Sequence, residues 1–124
     1  MERDINNNGV DRSRTFIIAE AGVNHNGDIN IAKGMIEAAI DIGADAIKFQ
    51  SYVTDELTIP LAQTAPYQRL NTNESVQRTM LKKLELSEND QVILHDYALK
   101  KNIEFISSPF DIQSLALLVN LGLN

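Results

Sequence analysis

The sequence has no cysteine and no tryptophan, only three prolines among 124 residues, and few basic side chains. Without cysteine there is no disulfide and no zinc–thiolate centre, a composition that fits a reducing cytosol. No apolar run approaches the roughly 20 residues that a membrane-spanning helix requires. Eleven Lys and Arg against seventeen Asp and Glu leave a net charge of -6, which argues against broad contact with nucleic acid or an anionic membrane. An anionic ligand would therefore need a local positive group. Residues 1–14 read as a polar tail without the apolar segment of a secretory signal.

The remainder, 15–124, alternates strand and helix signals. The run TFIIAE at 15–20 is rich in β-branched residues and suits a buried parallel strand. GVNHNG follows as turn chemistry. Asp28 is placed to cap a helix over about 29–42, with Ala32, Met35, Ile36 and Ala39 at helical spacing and Gly43 as its terminator. AIKF at 46–49 is the second strand. Residues 51–73 carry Pro60 and Pro66 without a clean period and read as an insertion over one face.

Helical spacing returns over 74–84. Ser87 and Asp90 then form a capping box for a helix with Leu94, Tyr97 and Ala98, ending near Lys100, Lys101 and Asn102. IEFIS at 103–107 is the third strand, and Asp111 opens a last helix with Leu115, Leu118 and Val119 facing inward. Phe105 and Phe110 are core by default. This alternation predicts an α/β fold of parallel β/α units. The polar residues at strand ends favour the first three units of a (βα)8 barrel over a doubly wound sheet, since a complete barrel needs roughly 250 residues.

In such a barrel the reactive groups stand at the C-terminal strand ends. Here those are Glu20, Lys48 with Gln50, and Ser107 with Ser108. A carboxylate, an ammonium, an amide and hydroxyls suit a polar, anionic, hydroxylated small molecule. A lysine between Ile47 and Phe49 is costly in a barrel wall unless its charge finds a partner. His25 is a candidate general acid or metal ligand, but one histidine without a second makes no metal site and a loop hydrogen-bonder is the commoner role, and His95 is a surface or packing residue. The Lys82, Lys83, Lys100 and Lys101 pairs are solvated or helix-end charges. Tyr67 is a lid contact or plain surface.

Read together, FIIAEAGVNHNG at 16–27, GADAIKFQSY at 43–52, MLKKLELS at 80–87 and IEFISSPFD at 103–111 resemble the N-acetylneuraminate (sialic acid) synthase family. The resemblance implies condensation of phosphoenolpyruvate with an N-acylated amino sugar, such as N-acetylmannosamine or a diacetylated analogue, to give a sialic or legionaminic acid and phosphate. It places Glu20 and Lys48 at the reacting centre, Gln50 and Asn71 against the sugar, and Ser108 on phosphate or carboxylate. Ser108 stands where Thr is common in the family, a change that keeps the hydroxyl.

The resemblance also implies a divalent manganese or magnesium ion whose ligands lie beyond residue 124, a cytoplasmic enzyme, and a homodimer when full length. A chain stopping before a fourth strand is expected to be inactive alone. Two other readings are a barrel aldolase with Lys48 as its Schiff-base lysine, and a non-catalytic sugar-binding half-barrel.

Overall fold

The computed structural model describes residues 14–57 and 72–123. Its elements run β1 (Ile18–Gly22), α1 (Ile29–Asp41), β2 (Ala46–Ser51), α2 (Thr54–Leu57), α3 (Thr72–Leu84), α4 (Glu88–Lys100), β3 (Glu104–Pro109) and α5 (Ile112–Asn120). The three strands form one parallel sheet in the order β1-β2-β3. The α/β reading and its three units are therefore correct. The brief helix α2 was not anticipated in the insertion, and the insertion's residues 58–71 lie outside the described ones.

Local signals account for the element ends. Asp28 accepts hydrogen bonds from the backbone N–H groups of Asn30 and Ile31, capping α1. Ser87 and Asp90 make the reciprocal capping box of α4. Asn102 takes a left-handed φ of 58° and turns the chain from α4 toward β3. Asp111 caps α5 from Ser114 N–H and accepts a second hydrogen bond from Val53 N–H at 2.8 Å, tying the loop after β2 to the helix after β3. At the opposite end of the sheet the buried Asp45 accepts from Ile17 N–H at 2.9 Å and pairs with Arg14. Nothing in the sequence reading singled out Asp45.

The core lies on one face of the sheet. Ala21, Ile47, Phe49 and Phe105 pack with Ala32, Ile36 and Ala39 of α1 and Leu94 and Ala98 of α4. The stacked rings of Phe49 and Phe105 are 5.4 Å apart, and His95 sits edge-on to Phe105 at 5.8 Å, the packing role expected of it. Between α1 and α4, Glu37 accepts from the Tyr97 hydroxyl and pairs with Lys101 at 2.8 Å.

Several expected core positions are exposed. β1 begins three residues later than the TFIIAE run suggests, and Phe16, Ile17 and Ile18 are 37%, 51% and 48% exposed. Phe110, Leu115 and Val119 are also exposed, leaving Leu118 and Ser114 as the buried positions of α5. The described sheet has one helix-covered face and two outer edges, so residues such as Ile18 on the uncovered side, or those on the flank beyond β3, have nothing among the described residues to pack against. A cleft of about 340 Å³ lined by Leu99, Ile103, Phe105 and Leu123 follows that flank.

Candidate active site

Side chains alternate across a strand. With Ile47, Phe49 and Ser51 turned to the helices, Lys48 and Gln50 point to the other face of β2. The parallel register then builds rows across the sheet: Glu20, Lys48 and Ile106 form one, and Gln50 and Ser108 the next toward the C-terminal ends. Four of the five expected site residues therefore share one face of the sheet, in two adjacent rows from its middle toward its C-terminal end. The fifth, Asn71, lies outside the described residues.

Lys48 Nζ is 2.9 Å from Glu20 Oε2, with the two side chains 36% and 49% exposed. A pair this exposed contributes only about 0.2–1 kcal/mol to stability. Folding energetics do not explain why a lysine occupies the middle of the central strand. The pairing does explain how the ammonium is tolerated there, since the carboxylate across the ladder supplies the partner that its position demands.

The register shifts between Glu20 and Gly22, so Gly22 faces Phe49 of β2. Such irregularities re-aim side chains near functional sites. A Cβ built on Gly22 would stand 3.5 Å from Glu20 Oε1, 3.8 Å from Gln50 Nε2 and 4.0 Å from Asn24 Nδ2. The missing side chain thus leaves open the space among a carboxylate and two amides. Asn24, unassigned from the sequence, borders the mouth, with its amide donating to Ala21 O at 3.1 Å.

Ser107 is a correction. It was placed at the mouth beside Ser108, but it faces the helix side, 2.6 Å from Ser51 Oγ, and Ser51 donates in turn to the buried Gln91. Adjacent strand residues cannot share a face, so only one of the two serines reaches the mouth. The serine that carries the expected role, Ser108, is the one that does.

Behind the mouth the loop joining α3 to α4 is clamped. Tyr52 donates through its hydroxyl to Leu81 O at 2.8 Å, and Glu85 accepts from Thr54 N–H at 2.9 Å and from Lys82. Burial alone would raise the Glu85 carboxyl, but the hydrogen bonds from Thr54 and Lys82 outweigh it and hold the pKa below its ordinary value. Lys82 and Lys83 are exposed, as their reading as solvated charges required. Among the described residues no three His, Cys, Asp or Glu side chains gather as a metal centre, and no helix is long and apolar enough to cross a membrane.

Comparison with known proteins gives a consistent result. The model of the NeuB family matches residues 35–124. N,N'-diacetyllegionaminic acid synthase of Legionella pneumophila is 51% identical over 108 residues, covering 86% of this chain and 30% of that protein. The enzyme of the same name from Campylobacter jejuni is 51% identical over 113 residues, covering 89% and 33%. Among solved structures, the N-acetylneuraminic acid (sialic acid) synthetase of Leptospira borgpetersenii superposes with a TM-score of 0.69 at 37% identity, covering 87% of this chain and 33% of that one. The chain spans about a third of the length of the curated relatives it matches.

Proposed function

The chain belongs to the NeuB family, and from that premise we propose that it supplies part of the mouth of a nonulosonic-acid synthase joining phosphoenolpyruvate to an open-chain N-acylated amino sugar. The observation that carries this reading is the Lys48–Glu20 pair on the uncovered face of the sheet, with Gln50 and Ser108 one row above it. In the reaction, the methylene carbon of the enol adds to the sugar aldehyde while water adds to the carbon bearing phosphate. The tetrahedral intermediate then expels phosphate by C–O cleavage.

Phosphoenolpyruvate brings roughly three negative charges, and a fixed ammonium stabilises charge developing on it more strongly in a dry cleft than in water. Lys48 binds these anionic groups, and Ser108 donates its hydroxyl to phosphate or carboxylate. As Lys48 turns toward the incoming anion, Glu20 is released from its partner and is free to orient the attacking water. Gln50 and Asn71 contact the sugar.

The parent enzyme of this reading uses a divalent ion, manganese or magnesium, and forms a homodimer. The described residues of the mouth do not suit the ion: their one carboxylate is taken by an ammonium, and the amides of Gln50 and Asn24 and the Ser108 hydroxyl complete the set. On this reading its ligands belong to later strands.

The sugar is proposed to be a diacetylated one, because both relatives at 51% identity are named for a diacetylated product, whereas the human N-acetylneuraminate-9-phosphate synthase is 34% identical over 107 residues. Phosphate release by the full-length protein tests this. Turnover is expected with the diacetylated sugar, and slower or none with N-acetylmannosamine. The 124 residues alone should release none, since the described part of the sheet leaves its substrate-facing side uncovered. Turnover by the isolated chain, or no release from the full-length protein with either sugar, would refute the reading.

A further inference from the structure

His25 is the one histidine fully sequestered from solvent among the described residues, at 0% exposure, yet it belongs to a loop. Its Nδ1 accepts a hydrogen bond from Gly27 N–H at 3.0 Å. Its ring lies 6.0 Å from that of Phe49. Its Nε2 has no hydrogen-bond partner among the described residues. A group chosen only to fill space would not bury a polar atom without a partner. What an apolar side chain cannot supply is the acceptor for Gly27.

The two contacts key one ring to two parts of the mouth. Phe49 separates Lys48 from Gln50 in β2 and is the register partner of Gly22, so it forms the back of the strand whose front carries the site. Gly27, at φ 72°, is wedged against the Lys83 carbonyl at the end of α3. His25 therefore connects the β1–α1 loop, the rear of β2 and, through Gly27, the α3–α4 junction.

We infer that His25 is a positioning residue of the proposed synthase site, a role that rests on that reading: its neutral imidazole locks the β1–α1 loop onto Phe49 and so sets Glu20 and Asn24 relative to Gln50. No charged side chain among the described residues is hydrogen-bonded to it, and burial alone accounts for its neutral state. On β2, Lys48 points to the opposite face and is paired with Glu20. At the α3–α4 junction, Glu85 is held by Thr54 and Lys82, and Lys83 is exposed.

Protonation would set a second N–H against that of Gly27 and place a cation in an apolar setting. Burial accordingly lowers the pKa of His25 from its ordinary 6.5. The unfolded chain takes up this proton more readily than the folded one, so the loop's stability is full above that pH and declines as the pH falls below it.

The test compares His25→Ala, His25→Asn and His25→Gln in the full-length protein, each at a temperature where it is folded. Asn places an acceptor near the position of Nδ1 and cannot titrate, whereas Gln places it one bond further out. Ala should lower kcat about 100-fold, the scale expected when a site is misplaced by about an ångström, with little change in KM, and Asn should stay within about threefold of wild type. Hydrogen exchange over 21–28 should quicken in Ala and not in Asn, and the wild type's acid-side loss of loop protection should disappear in Asn.

Unchanged kcat in Ala, or Asn as impaired as Ala, overturns the inference. If Ala does not fold, Asn must outperform Gln, and equality between them overturns it. If the wild type releases no phosphate at all, the proposed function fails separately. Exchange over 21–28 then decides for His25: faster in Ala and not in Asn supports the lock, equal in both overturns it.

Discussion

On the proposed function, replacing Lys48 with Met in the full-length protein should reduce kcat/KM for phosphoenolpyruvate by about 1,000-fold or more, equivalent to roughly 4 kcal/mol of transition-state stabilisation. Met keeps the unbranched stem and removes the charge. The lost ion pair with Glu20 is half-exposed and contributes at most about 1 kcal/mol to folding, so the thermal midpoint should move little. That separation between activity and stability is the informative feature. Lys48→Arg should recover only part of the activity, because a planar guanidinium cannot reproduce a compact ammonium on the same stem. Steady-state phosphate release, with a melting curve for each variant, checks both halves, and a K48M enzyme within tenfold of wild type would contradict the role given to this residue.

Gly27→Ala should be the most damaging small substitution to folding among the described residues. Its Cβ would lie 2.2 Å from the Lys83 carbonyl oxygen, and the residue sits at φ 72°. The left-handed backbone alone costs an L-residue about 1–2 kcal/mol. The obstruction is a backbone oxygen rather than the end of a flexible side chain, so relief requires the loop and the end of α3 to separate. A total loss above about 3 kcal/mol is expected. Gly43→Ala isolates the two effects, since Gly43 has φ 75° with nothing within 4 Å of the added atom, and should show the backbone cost alone. Urea midpoints at constant slope give the comparison. Equal losses for the two variants would mean that the loop and α3 are not in firm contact.

The fold was legible where local chemistry decides the backbone. Asp28, Ser87 with Asp90, and Asp111 mark helix starts through side-chain acceptors that any reader can place, and all three act as caps. Lys48 and Gln50, grouped as one strand end, do share a face, as strand alternation requires of residues two apart. Burial was less legible because it depends on neighbours that the pattern does not contain: Ile17, Ile18, Phe110 and Val119 look like core, yet the described elements leave them uncovered.

Of the site, the Glu20–Lys48 row followed from strand ends, but the two serines were grouped before parity could separate them. Asn24 was missed because a turn residue's reach depends on loop geometry, here set by the register shift before Gly22. Asp45 gave no signal, since a carboxylate in a Gly-Ala-Asp turn reads as solvated until Ile17 is brought beside it.

A crystal structure of the full-length protein with bound phosphoenolpyruvate tests the central claim most directly. Lys48 Nζ and Ser108 Oγ should both lie within hydrogen-bond distance of its phosphate or carboxylate oxygens, with Glu20 turned toward the enol carbon that water attacks. A ligand seated away from this row of side chains, with the Lys48–Glu20 pair unbroken beside it, would contradict the account.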